Sequence, residues 1–180
     1  ASVGPSIASV YHRKLNLAGS ACISVSQSGQ SPDIVEMARM AQASGALSIA
    51  ITNDPASPLA QVSDHTLYLE AGPELSVAAT KTFVNSAVVG IWLLAEWAQD
   101  AALLAAIHDL PDQLDKAVQQ DWTQVIAALG NRKSLFCLGR GPSYAISNEN
   151  SDFYIPDLEN FYKISYSLSY IYPIKNEWKL

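Results

Sequence analysis

Basic residues are scarce in this sequence: 11 Lys and Arg face 17 Asp and Glu in 180 residues, giving a formal charge of −6 and an isoelectric point near 4.9. Capture of nucleic acid needs clustered Lys and Arg, so the charge balance argues against it. Cysteine is rarer still. Cys22 and Cys137 are too few for a disulfide framework, and both sit in short apolar runs, which reads as buried free thiols in a reducing cytoplasm. No long hydrophobic run occurs: the longest, Ala87–Ala95, falls far short of a bilayer span and ends at Glu96, so no membrane association is expected. The opening ASVGPSIASVYHRKLNLAG has no basic stretch followed by an apolar one and does not read as a signal peptide. There is no G-x-S-x-G, which argues against a serine hydrolase. His12, His65 and His108 are isolated, without partners at metal-ligand spacing, and read as surface or internally satisfied side chains; neither metal nor cofactor is expected. Charged residues make up only 16% against 49% apolar, which excludes a disordered chain. A cytoplasmic globular protein remains.

What is there follows a regular order. Ala21–Ser26 (ACISVS) predicts a short strand ending in the turn and hydroxyl cluster SQSGQS. Pro32 stands where a first helical residue belongs, with Ser31 as N-cap and Asp33 and Glu36 in the first turn. Ile34, Val35, Ala38 and Ala41 give this helix an apolar stripe, and Gly45 ends it. Ala46–Ile51 (ALSIAI) predicts a second strand, apolar apart from Ser48 and therefore expected to be buried on both faces. TNDPASP is a turn that feeds a short helix around Leu59–Val62, and His65–Leu69 reads as a third strand followed by an AGPE loop. From about Leu75 a helical pattern runs through Trp97, with Val77, Val84, Val88, Ile91, Leu94 and Ala95 as buried candidates and Trp92 and Trp97 as core or interface. Ala101–His108 and Gln113–Leu129 read as further helix divided by Pro111. Ser134–Leu138 (SLFCL) and GRGPSYAI then repeat the order of strand, Gly-rich turn and helix start. The third glycine of a dinucleotide fingerprint is missing there, so a nicotinamide site is not expected. Strands alternating with helices predict an α/β fold, a doubly wound parallel sheet with helices on both faces.

The stretch richest in chemistry is SQSGQSP. Ser26, Ser28 and Ser31 supply hydroxyls, Gln27 an amide, and Gly29 lets the backbone approach a ligand closely. The loop leaves the carboxyl end of a strand and enters a helix N-terminus, where unpaired N–H groups and the positive dipole end favour an anion. A phosphate could be held there by hydroxyls and amides alone. The same residues also suit an ordinary Ser-rich turn capped by Ser31, and local chemistry leaves both readings open.

Two motifs in order carry a resemblance. ISVSQSGQSPD, followed by ALSIAITNDPASPLAQVSDHTLYLEAGPELSVAATKTF, resembles a sugar isomerase (SIS) domain, a flavodoxin-like three-layer fold. Within that family it is similar to the double-SIS group, which includes the isomerase half of glucosamine-6-phosphate synthase (glutamine–fructose-6-phosphate aminotransferase) and related aminosugar-phosphate deaminase/isomerases. The resemblance covers roughly residues 1–148. It implies a hexose phosphate ligand whose phosphate is held by Ser26, Gln27, Ser28, Gly29 and Ser31, with Val77 lining the sugar site through its backbone. Where the synthase pattern often reads VASTK this chain has VAATK, so Ala79 cannot offer the hydroxyl found there. Lys81 is a supporting candidate that would orient the loop, or else a surface lysine. Glu74 is the other, as a base should the GPE loop fold over the sugar.

The resemblance also divides the chain. Residues 1–130 read as a SIS domain lacking its first strand–loop unit, 131–148 as the start of an incomplete second repeat, and 149–180 as an anomalous tail. All 25 alanines lie at or before Ala145, no arginine follows Arg140, and five of the eight tyrosines come after Ser151, a break that suits foreign sequence or a variable arm. The glutamate, lysine and histidine that the family uses for ring opening and proton transfer have no match after Asn148, so no catalytic residue is assigned. The expectation is a fragment of an aminosugar-phosphate isomerase, deaminase or aminotransferase that retains hexose phosphate binding and forms a homodimer or SIS–SIS association. The alternative is a non-catalytic phosphosugar-sensing regulatory or interaction module.

Overall fold

The computed structural model describes residues 4–12, 15–75, 79–130 and 132. Val77, Cys137, the strand expected at Ser134–Leu138, the GRGPS turn and the 149–180 segment lie outside the described residues. In chain order the elements are α1 (Ser6–Ser9), β1 (Ala21–Val25), α2 (Pro32–Ala43), β2 (Leu47–Thr52), α3 (Pro58–Val62), β3 (His65–Tyr68), α4 (Lys81–Ala98), α5 (Ala101–Val118) and α6 (Thr123–Leu129). The chain divides into two compact units, residues 1–75 with 81–107, and residues 76–80 with 108–180. The first unit holds the sheet and α1 to α4.

The sheet is parallel, three-stranded and ordered β1-β2-β3, with Ile23 opposite Ile49 and Ile51 opposite Leu67. Its period of two sorts the side chains onto two faces. On one face Ala50 packs with Val35 and Ala38 of α2 and Leu59 of α3. Ala38, Ala41, Ser48 and Ala50 are fully buried, and their small side chains let α2 lie close to the strands. On the other face Ile51 packs with Leu69 and with Val89 of α4. Helices on both faces of a parallel sheet make this an α/β layered fold, as the alternation of elements predicts.

Exposure corrects several expectations. Leu47 is 46% exposed, so β2 is buried on both faces only toward its carboxyl end, where Ala50, Ile51 and Thr52 lie. Ile23 and Val25 share the α4-side face and are also exposed, and Cys22, a free thiol, is only partly buried. Helix α4 begins at Lys81 rather than near Leu75. Its buried residues are Thr82, Asn85, Val89 and Ala95, whereas Ile91 and Leu94 are exposed; Trp97 is exposed too, which removes the core half of its reading and leaves the interface half untouched, and Trp92 donates to Glu96 Oε1 at 3.2 Å. Helix α5 runs unbroken through Pro111. Proline lacks the N–H that would reach the Ile107 carbonyl, and the boundary between the two units falls between Ile107 and His108.

One carboxylate ties three elements of the first unit together. Asp64 accepts from Ser48 N and from Gln42 Nε2, each at 2.8 Å, which joins the start of β3 to β2 and α2. The Ser48 and Gln42 hydrogen bonds hold its pKa below the ordinary carboxylate value.

Candidate functional site

In open parallel sheets ligands gather outside the carboxyl ends of the strands. Here three segments emerge at that edge: residues 26–31 after β1, 53–57 after β2 and 69–75 after β3. The first is fixed from beneath. Ser26 N donates to the Ile51 carbonyl (3.0 Å), and the Gln27 carbonyl accepts from both Asn53 N (3.0 Å) and Thr52 Oγ1 (3.2 Å). The Gly29 carbonyl accepts from Leu59 N at 3.1 Å, which satisfies a donor in the first turn of α3. Two carbonyls of the loop are thus tied into the protein.

What is left is a set of hydrogen-bond donors. Among the described residues the backbone amides of Gln27, Ser28 and Ser31 have no protein partner. Ser26 Oγ accepts from Gly29 N (3.2 Å) and Ser28 Oγ from Gln30 N (3.3 Å), so both hydroxyl protons remain free to donate outward. Ser31 occupies the N-cap position of α2, but its side chain makes no cap hydrogen bond, contrary to the capping role read from sequence. One donor of the first turn is taken, since Ile34 N reaches Asp33 Oδ1 at 3.0 Å.

Gly29 holds the turn together. Its φ is +61°, and a Cβ would fall 2.2 Å from Ser57 Oγ and 3.0 Å from Thr52 Oγ1. Ser57 and Thr52 are fully buried, so neither can move aside at low cost. Ser57 also caps α3 by accepting from Ala60 N at 3.3 Å.

The segment after β3 carries the other candidates. Glu74 Oε2 accepts from Thr82 N (3.2 Å) and Thr82 Oγ1 (2.9 Å), so the carboxylate caps the N-terminus of α4. That engagement gives Glu74 a structural role at the start of α4. Lys81 Nζ donates to the Pro73 carbonyl, which suits the loop-orienting reading. The Asn85 side chain donates to the Leu69 carbonyl at 2.9 Å and secures the end of β3 against α4.

Residues that sequence reasoning passed over are Thr52, Asn53, Ser57 and Thr82. The rule that the carboxyl ends of strands line the site would have flagged Thr52 and Asn53, which follow ALSIAI directly. Among the described residues no group of His, Cys, Asp and Glu could hold a metal ion, and no helix is long and apolar enough to cross a membrane.

Comparison with known proteins agrees with this geometry. The family model for the SIS domain matches residues 6–96. A glutamine–fructose-6-phosphate aminotransferase (isomerizing) from Symbiobacterium thermophilum is 34% identical over 139 residues, 71% of this chain and 23% of that protein. A structure from Silicibacter pomeroyi, provisionally described as a phosphosugar isomerase, is 60% identical with a TM-score of 0.79, covering 83% of this chain and 46% of that one. The C-terminal domain of glucosamine-fructose-6-phosphate aminotransferase from Francisella tularensis is 25% identical with a TM-score of 0.61, covering 81% of this chain and 44% of that one. The chain spans 23% to 25% of the length of the first curated aminotransferases it matches. The sheet, the two motif loops and the matched residues together place the chain in the SIS domain family.

Proposed function

We propose that the Ser26–Ser31 loop binds the phosphate of a hexose phosphate or aminosugar phosphate, with the segment following β3 facing the sugar. The observation that carries this reading is the division of the loop's hydrogen bonds. Its Gln27 and Gly29 carbonyls are tied inward, which leaves the amides of Gln27, Ser28 and Ser31 and the hydroxyls of Ser26 and Ser28 beside the N-terminus of α2. Such donors and the helix dipole favour an anion without Arg or Lys. The relatives add support, since those named above are glutamine–fructose-6-phosphate aminotransferases or a provisionally described phosphosugar isomerase. The parent chemistry is then isomerisation, deamination or amide transfer on the bound sugar. Holding the phosphate stabilises ground state and transition state alike, so proton transfer requires an acid and a base in addition to this loop.

Calorimetry with fructose 6-phosphate and glucosamine 6-phosphate tests the site. Hydrogen bonds to a charged group contribute about 1.5–3 kcal/mol each, so replacing both Ser26 and Ser28 by Ala weakens binding at least about tenfold. Equal binding by the double variant and the parent refutes the assignment.

A further inference from the structure

Asn53 stands where the two motif-bearing segments meet. Its backbone N–H donates to the Gln27 carbonyl at 3.0 Å, in the loop after β1. Its side chain turns the other way: Nδ2 donates to the Gly72 carbonyl at 2.7 Å and Oδ1 accepts from Ala71 N at 3.0 Å, in the segment after β3. The side-chain pair is an acceptor for the N–H of one residue and a donor to the carbonyl of the next, and an amide supplies both. Aspartate would set an oxygen against the Gly72 carbonyl, and a hydroxyl is too short to reach both partners. Thr52 reinforces the junction through Oγ1 on the Gln27 carbonyl (3.2 Å) and its own carbonyl on Leu69 N (3.0 Å).

We propose that Asn53 is a positioning residue that fixes the 71–74 segment relative to the Ser26–Ser31 loop, so that the phosphate end and the sugar end of one ligand are recognised together. This rests on the hexose phosphate reading of the site. In this role Asn53 acts through its bonds to the two segments. It sets the distance between the groups that hold the two ends of the ligand. Glu74, two residues beyond Gly72, then carries the setting into the cap of α4 through Thr82.

The two sets of bonds are separable by mutation. Asn53→Ala deletes the side-chain links to residues 71 and 72 but keeps the backbone N–H that holds Gln27. Calorimetry on the full chain compares inorganic phosphate with fructose 6-phosphate. The expected result is an unchanged affinity for inorganic phosphate and a loss of about tenfold for fructose 6-phosphate. Equal losses for both ligands, or no loss for either, overturn the proposal. Hydrogen exchange on the ligand-free chain gives a readout independent of binding: amides in 71–75 exchange about tenfold faster in the variant while those in 26–31 do not. Unaltered exchange in 71–75 overturns the latch whatever the ligand result. A parent chain that binds neither ligand refutes the hexose phosphate reading, and with it the positioning role, while the exchange comparison still decides whether Asn53 latches the segments. Should Asn53→Ala not fold, Asn53→Asp serves the exchange measurement, since it keeps the acceptor for Ala71 N and removes the donor to Gly72.

Discussion

Gly29 has no room for a side chain on the inner side of its loop. The obstacle is the pair Ser57 and Thr52, both fully buried, and the positive φ adds a backbone cost of its own. Gly29→Ala is therefore expected to lower stability by about 2–4 kcal/mol, from overpacking together with the left-handed backbone, as measured by urea denaturation. A loss below about 0.5 kcal/mol would mean that the loop shifts freely off Ser57. At this scale the sequence was partly legible. Ser26, Gln27, Ser28, Gly29 and Ser31 could be singled out because hydroxyls, an amide and a glycine crowd into one turn. Thr52 and Asn53 could be placed at a strand end but given no role, and Ser57 not even that, because their partners lie on other strands and loops: one threonine or asparagine in a turn has many local uses, and only the parallel register brings these beneath the SQSGQS loop.

The start of α4 shows what a local pattern leaves out. Apolar residues before Lys81 continue a helical period, yet the helix begins only at Lys81, where Glu74 reaches forward to the Thr82 amide and hydroxyl. A cap supplied from outside the helix leaves no signature of the S/T-x-x-E kind. Its removal has a definite cost: Glu74→Ala is expected to destabilise the chain by about 1 kcal/mol, and Glu74→Gln by less, since an amide oxygen can still accept. Urea denaturation of the two variants side by side checks the order, and a larger loss for Gln than for Ala would remove the capping role. Helix α5 carries the opposite lesson. Pro111 suggests a break, but a helix continues through a proline when it forgoes a single hydrogen bond, here the one to the Ile107 carbonyl. Periodicity located α2 and the three strands to within a residue or two because buried small residues and Pro32 mark them. It misplaced part of the buried face of α4: Ile91 and Leu94 are exposed, while the polar Thr82 and Asn85 are buried and held by hydrogen bonds.

Across the first unit, stability depends on pH through Asp64. Hydrogen bonds from Ser48 N and Gln42 hold its folded pKa below the unfolded value, so the charged form favours the folded state. The sign follows: this contribution is present in full above the unfolded carboxylate pKa, about 3.9, and disappears as pH falls through the lowered folded value. Asp64→Ala is thus expected to lower stability at neutral pH and to differ progressively less from the parent in acid, as shown by denaturation midpoints between about pH 7 and pH 3. A gap that stays constant over that range would separate Asp64 from the acid response. The unpartnered outer edge of β1 among the described residues has a different reach. With Ile23, Val25 and Leu47 exposed on the adjoining face, it offers both a hydrogen-bonding template and an apolar surface to any other extended chain. Pairing of two such edges is a second-order process, so dilution or a single charge on β1 is expected to slow self-association without any change in the folded state.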